Sequence, residues 1–217
     1  MGARVDEGAL RQHMAEVMRA MDDKGLNRGT SGNVSARCGE AMLVTPSGVP
    51  PERLSGEQMV LVQPDGSTPE GGLRPSSEWR MHQQILIRRP DANAVVHCHS
   101  RHATILACAG REIPSMHYMV AVGGGASVPV APYATFGSVE LAEAVVDTLD
   151  GRSAALMANH GQIVVARNLD AALAITEEIE EQAAVYWGTL AIGGPKLLSG
   201  EEMENILQRF RSYGQKS

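Results

Sequence analysis

The residues most able to do chemistry are His97-Cys98-His99. On a β-strand, alternate side chains share a face, so the two imidazoles project together and Cys98 points away. Two neutral imidazoles on one strand supply half the donors of a tetrahedral zinc ion. The same pair could equally be two unconnected histidines on a half-exposed strand. His160, in Asn159-His-Gly161, sits at a turn, and Glu78 follows Ser76-Ser77 at a helix start. Together they would complete a four-coordinate site, although spacing does not show that they converge. A turn histidine is often only a polar surface residue, and a carboxylate at a helix start is favoured by the helix dipole alone. The other histidines are expected to be structural. His102 follows the H-x-H strand and either supports the site or packs. His13 and His82 lie within helices, partly exposed, and His117 would face away from Tyr118 on a strand.

These residues need elements to position them. Leu10, Met14, Val17, Met18 and Met21 recur at helical spacing between Asp6 and Lys24, with Gly25 as a C-terminal stop. Gly29-Thr-Ser-Gly-Asn33 reads as a loop. Strands are expected at 42–45, 59–62, 94–99, 118–122, 154–157 and 162–166. Helices are expected at 78–88, N-capped by Ser76 and Ser77 and closed by Pro90, and at 103–109, 139–149, 170–190 and 200–213. Gly193-Gly-Pro195 could be a hinge before the last helix. The mixture predicts an α/β or α+β chain in one domain, with a sheet that is not purely parallel.

The chain has 217 residues, 43% hydrophobic and 20% charged, which suits one sizeable globular core. Its net charge of -6 argues against a nucleic-acid surface or a polybasic membrane anchor. It leaves room for an anionic substrate, whose local potential a metal or helix N-terminus can set. No apolar run reaches bilayer length and no signal-peptide core is present. Cys38, Cys98 and Cys108 form no C-x-x-C pair, so reduced thiols in a cytoplasmic protein are expected. Gly123-Gly-Gly125 lacks nucleotide-loop spacing. Lysines occur only at 24, 196 and 216, none with a credible apolar pocket for a Schiff base.

Several blocks, in order, resemble the class II aldolase and sugar-phosphate epimerase family. They are Gly29-Thr-Ser-Gly-Asn-Val-Ser35, Leu43-Val-Thr-Pro-Ser-Gly48, Pro75-Ser-Ser-Glu-Trp79, Asp91-Ala-Asn-Ala-Val-Val-His-Cys-His99, His117-Tyr-Met119, Ala131-Pro-Tyr-Ala-Thr-Phe-Gly137 and Asn159-His-Gly161. The resemblance runs from the first helix to Tyr213-Gly214 and implies one domain over residues 1–217. It implies a three-layer α/β/α sandwich around a largely antiparallel sheet, assembled as a homotetramer with active sites at subunit interfaces. It also implies zinc on His97, His99 and His160, with Glu78 as fourth ligand at rest and as general base once substrate displaces it. Tyr118 would be the general acid at a neighbouring subunit's site. Gly32, Asn33, Ser47, Gly48, Ser76 and Ser77 would bind the substrate phosphate.

The implied reaction splits a ketose 1-phosphate, such as L-fuculose 1-phosphate, into dihydroxyacetone phosphate and a small aldehyde. Zinc would stabilise the enediolate charge as a Lewis acid. The phosphate could be held without lysine by Gly-rich backbone, serine hydroxyls and the helix start near Ser76, though Ser76-Ser77 could also be plain capping. The rivals are an aldolase for 5-deoxyribulose or 5-(methylthio)ribulose 1-phosphate, a ribulose-5-phosphate 4-epimerase, a sugar-acid decarboxylase and a non-enzymatic adducin-type scaffold. Glu78 argues against the epimerase, where a shorter aspartate is expected. The intact set of ligand candidates argues against the scaffold.

Overall fold

The computed structural model describes residues 6–212. Seven strands form one sheet: β1 (Asn33–Cys38), β2 (Ala41–Val44), β3 (Val60–Val62), β4 (Ala94–Cys98), β5 (Val130–Ala131), β6 (Ala154–Met157) and β7 (Gly161–Ala166). Their order is β3-β2-β1-β4-β7-β6-β5, antiparallel throughout except for the parallel pair β5 and β6. Six helices cover it: α1 (Glu7–Asp23), α2 (Trp79–Arg88), α3 (Arg101–Cys108), α4 (Val139–Thr148), α5 (Leu169–Leu190) and α6 (Gly200–Ser212).

Side-chain alternation sorts the sheet into two apolar faces. Val34, Ala36, Val96, Cys98 and Val164 join α1, α3, α5 and α6 in one core. Val44, Val95, Ile163 and Val165 join Met81 and Ile85 of α2 and Leu141 and Val145 of α4 in the other. The arrangement is therefore the expected α/β/α sandwich. Each fully buried Val, Leu, Ile or Met contributes about 1.5–3 kcal/mol by leaving water. The helical stripe expected in α1 holds, with Met14, Val17, Met18 and Met21 all buried. Gly25, at φ 69°, takes the left-handed position just beyond its end.

Four expectations are corrected. Residues 118–122 form no strand; Tyr118–Gly123 is a 3-10 helix, entered where His117 Nδ1 accepts from the Met119 N–H and left at Gly124. Its apolar side chains do not alternate between a wet and a dry face: Val120 and Ala121 are buried together. His117 consequently does not face away from Tyr118, and the two rings lie 4.7 Å apart. Neither Ser76 nor Ser77 holds the cap position of α2; Glu78 does, without a side-chain cap bond of its own, although its N–H donates to Ser76 Oγ at 3.4 Å. His82 is fully buried rather than partly exposed, because its face of α2 lies on the sheet. Strand β1 was not expected, although Asn33, Ser35 and Arg37 alternate with Val34, Ala36 and Cys38 along it, because the preceding Gly-rich residues read as loop; β5 has only two residues. Tyr213, expected in the last helix, lies outside the described residues.

Candidate metal centre and substrate cleft

Strand β4 is central, and its end carries the histidines. His97 is the cross-strand neighbour of Asn33 on β1 and of Ile163 on β7, so it is held on both sides. Cys98 points to the opposite core, as alternation requires, and burial pushes its thiol up to about 12. His99 lies one residue beyond the strand and faces solvent. His160 comes from the β6–β7 turn. Asn159 there adopts φ 55°, a left-handed conformation that asparagine tolerates better than most residues. Gly161 allows the turn to close, since a Cβ would lie 2.4 Å from the Cys98 carbonyl oxygen and 3.0 Å from the His99 ring.

The structure brings His97, His99 and His160 together, with one donor atom from each lying within 4.8 Å of the others. Glu78 joins them from the start of α2. His97 Nε2 is 3.1 Å from His99 Nε2 and 3.2 Å from Glu78 Oε2, while Glu78 Oε1 is 3.3 Å from His160 Nε2. Zinc–nitrogen bonds of 2.0–2.1 Å place tetrahedral donors about 3.3 Å apart, so these separations are those of ligands around one ion. His97 Nδ1–H donates to the Gln162 carbonyl at 2.8 Å, so in the neutral ring the Nε2 lone pair faces the cluster. Among the described residues Glu78 Oε1 is buried without a hydrogen-bond partner. A buried carboxylate oxygen without a donor is costly unless a cation satisfies it. The donor set and its geometry therefore fit a divalent transition metal.

The electrostatics agree. Burial, then repulsion from His97, pushes His99 and His160 down to about 4, so both rings are neutral at pH 7, the form that a metal ligand needs. Burial alone would raise Glu78, but the charge and hydrogen-bonding of His97 outweigh it and hold the carboxyl well below its usual range. Burial would lower His97, yet the facing Glu78 raises it.

A cleft of about 350 Å³ opens over this cluster. Gly32, Asn33, Ser47, Gly48, Ser76 and Ser77 line it together with Glu78, His99 and His160. No lysine or arginine is among the lining residues, so an anion here would meet hydroxyls and backbone N–H groups. Tyr118 is not brought to the cleft. Its ring is 51% exposed and lines a separate groove with Met116 and Leu198. Lys24 forms a surface pair with Glu177, and Lys196 is exposed, so neither reaches the cleft. His13 and His102 pair with Asp170 and Glu180, away from the cluster.

Sequence reading missed several contributors. Thr30, Ser31, Tyr133, Phe136 and Asn159 also line the cleft. Asn27 lies beneath Gly32, where a Cβ would collide with its amide at 2.4 Å. His82 bonds Asn33 and Ser35 behind Glu78. The signal for His82 was its position four residues after Glu78, which places both on one face of a helix.

Residues 12–187 match the family described as Class II Aldolase and Adducin N-terminal domain. The chain belongs to this family. It is 44% identical over 206 residues to the 5-methylthioribulose-1-phosphate/5-deoxyribulose-1-phosphate aldolase of Rhodospirillum rubrum, covering 95% of this chain and 93% of that one. It is also 44% identical over 211 residues to the L-fuculose phosphate aldolase of Escherichia coli K12, covering 97% and 98%. A solved L-fuculose 1-phosphate aldolase superposes with a TM-score of 0.92 at 36% identity, over 97% of this chain and 100% of that one. These likenesses place the chain among the aldolases, and thus among lyases.

Proposed function

We propose that this class II aldolase cleaves a ketose 1-phosphate to dihydroxyacetone phosphate and a small aldehyde, using zinc held by His97, His99 and His160. The observation that carries this reading is the partnerless Glu78 Oε1 among three imidazoles whose spacing is that of metal ligands. A bound divalent ion supplies Lewis acidity towards the enediolate charge. Gly32, Asn33, Ser47, Gly48, Ser76 and Ser77 bind the phosphate by hydrogen bonds at the start of α2. In cleavage a base takes the C4 hydroxyl proton, the C4–O pair becomes the aldehyde carbonyl, and the C3–C4 pair passes to the enediolate. Glu78, protonated from solvent, gives that proton to C3, while the C4 hydroxyl proton leaves through the partner group, so the protons balance. In condensation Glu78 removes that proton and the partner group protonates the aldehyde oxygen.

Tyr118 is assigned as that partner, serving the cleft of a neighbouring copy in a homotetramer. Its exposure and its distance from its own chain's cleft support this reading. We further infer one domain over residues 1–217 in a cytoplasmic protein. Among the described residues no helix is long and apolar enough to cross a membrane.

L-Fuculose 1-phosphate and the 5-deoxy- or 5-methylthioribulose 1-phosphates are both supported as substrates, since relatives bearing each name are 44% identical to this chain. Dihydroxyacetone phosphate release from each, by zinc-loaded protein, decides between them, and no release from any ketose 1-phosphate overturns the proposal. Glu78→Gln should retain most of the metal and lower proton exchange on dihydroxyacetone phosphate by about 10²–10⁴-fold. Undiminished exchange removes Glu78 as the base. Tyr118→Phe should lower cleavage while leaving zinc content unchanged.

A further inference from the structure

Behind Glu78 a line of polar side chains crosses the otherwise apolar interface between β1 and α2. Asn33 Nδ2 donates to Glu78 Oε2 at 2.9 Å. Asn33 Oδ1 meets His82 Nε2 at 2.5 Å, and His82 Nδ1 meets Ser35 Oγ at 2.7 Å. Glu78, His82, Asn33 and Ser35 are all buried, with His82 and Ser35 completely so. The placement follows from two periodicities. Asn33 and Ser35 alternate on one face of β1, and Glu78 and His82 lie four residues apart on the facing side of α2.

The proton positions along this line follow from donor and acceptor chemistry. An ionised carboxylate only accepts, so the Asn33 amide must present its NH₂ to Oε2 and its oxygen to His82. His82 Nε2 must then carry the proton. In a neutral ring Nδ1 accepts, so the Ser35 hydroxyl donates. Every donor points towards Glu78, and Oε2 is the oxygen it anchors. Oε1 is left without a donor, 3.3 Å from His160 Nε2, while the anchored Oε2 also faces His97 Nε2 at 3.2 Å.

We propose that His82 is a positioning residue for the aldol chemistry, orienting the Asn33 amide so that it holds the Glu78 carboxylate by Oε2. This rests on the reading of Glu78 as base. It also gives Asn33 a task besides phosphate binding, because the same amide that lines the cleft is aimed at the carboxylate. Apolar packing alone would not place a histidine here, since a leucine fills similar space without the cost of a buried imidazole.

The test compares His82→Gln, His82→Asn and His82→Leu in the zinc-loaded protein. Glutamine can set its NH₂ near the position of Nε2 and reach Asn33; asparagine mimics only the Nδ1 side. We expect His82→Leu and His82→Asn to lower kcat and the rate of dihydroxyacetone phosphate proton exchange together, by about 10–100-fold, the range typical of losing a ligand-orienting partner. KM should change less than about threefold and zinc content should stay that of the wild type. His82→Gln should recover most of the loss. Equal kcat in all three variants, or equal losses with Gln and Asn, overturns the proposal. If His82→Leu does not fold, the Gln and Asn variants decide it, with Ser35→Ala as a milder break in the same line. Ser35→Ala should lower kcat several-fold at unchanged KM. Wild-type protein that catalyses no exchange would instead overturn the reading of Glu78 itself.

Discussion

Among the described residues, two groupings of histidine with glutamate differ in what the carboxylate lacks. In the first, Glu78 faces His97 and His160, with one oxygen bonded to Asn33 and the other buried without a hydrogen bond. In the second, Glu180 on α5 accepts from the His102 and Ala103 backbone N–H groups at 2.9–3.1 Å and meets His102 Nδ1 at 2.8 Å. There the carboxylate caps the open first turn of α3, satisfying donors that every helix leaves free. Its oxygens have partners from the chain itself. Residue types alone do not distinguish a binding centre from a structural tie. What distinguishes them is whether the protein supplies all the partners or leaves converging lone pairs for a ligand.

The largest separation between the two regions should come from metal. His160→Ala should lose stoichiometric zinc and all measurable aldolase activity, whereas Glu180→Ala should retain zinc at the wild-type level. Elemental analysis of protein purified without chelators checks both, and equal zinc in the two variants would break the comparison. Zinc at a thousand times its dissociation constant should stabilise the wild type by about 4 kcal/mol, and a chelator should remove that gain. Thermal melts should show the shift in Glu180→Ala and not in His160→Ala.

A smaller effect concerns pH. Burial, followed by repulsion from His97, pushes His82 down to about 3, below its ordinary 6.5. The unfolded chain therefore takes up this proton below about pH 6.5, while the native protein resists until near pH 3. Stability is complete above the unfolded value and falls as pH drops through that window, by about 1.4 kcal/mol per pH unit for one such group. Urea unfolding of metal-free protein at pH 6.5 and 5 should show a drop about 2 kcal/mol smaller in His82→Gln than in the wild type. An identical drop would show that His82 is not held neutral. The smallest effect should be that of Glu180→Ala on stability, a loss of about 1–2 kcal/mol for a helix cap, read by urea midpoint.

Much of the site was legible because it rests on local rules. The period of two in His97-Cys98-His99 placed two imidazoles on one side, and Cys98 does lie in the opposite core. The stripe of α1 and the order of helices and strands were likewise visible, since burial on one face imposes a period. Strand β1 was not. Its residues do alternate, Asn33, Ser35 and Arg37 with Val34, Ala36 and Cys38, but the Gly-rich loop running into it masked the start, and its polar face is buried in the hydrogen-bonded line to His82 instead of turned to solvent. Residues 118–122 failed for the opposite reason, because an apolar run of that length is compatible with strand or helical turn until packing decides.

The order of residues along the chain supplies the candidate donors, three imidazoles and a carboxylate, the scarcity of lysine, and an α/β pattern with apolar faces. That these donors meet is a property of the folded chain. His160 comes 61 positions after His99 along the chain. It reaches the cluster because β7 pairs with β4 and the Asn159–Gly161 turn closes against Cys98. The burial that holds His82 neutral, and the bonds that leave Glu78 Oε1 without a hydrogen-bond donor, arise from packing α2 on β1. Spacing along a chain constrains neighbours within a turn or a strand, whereas convergence across it is set by sheet order and side-chain packing.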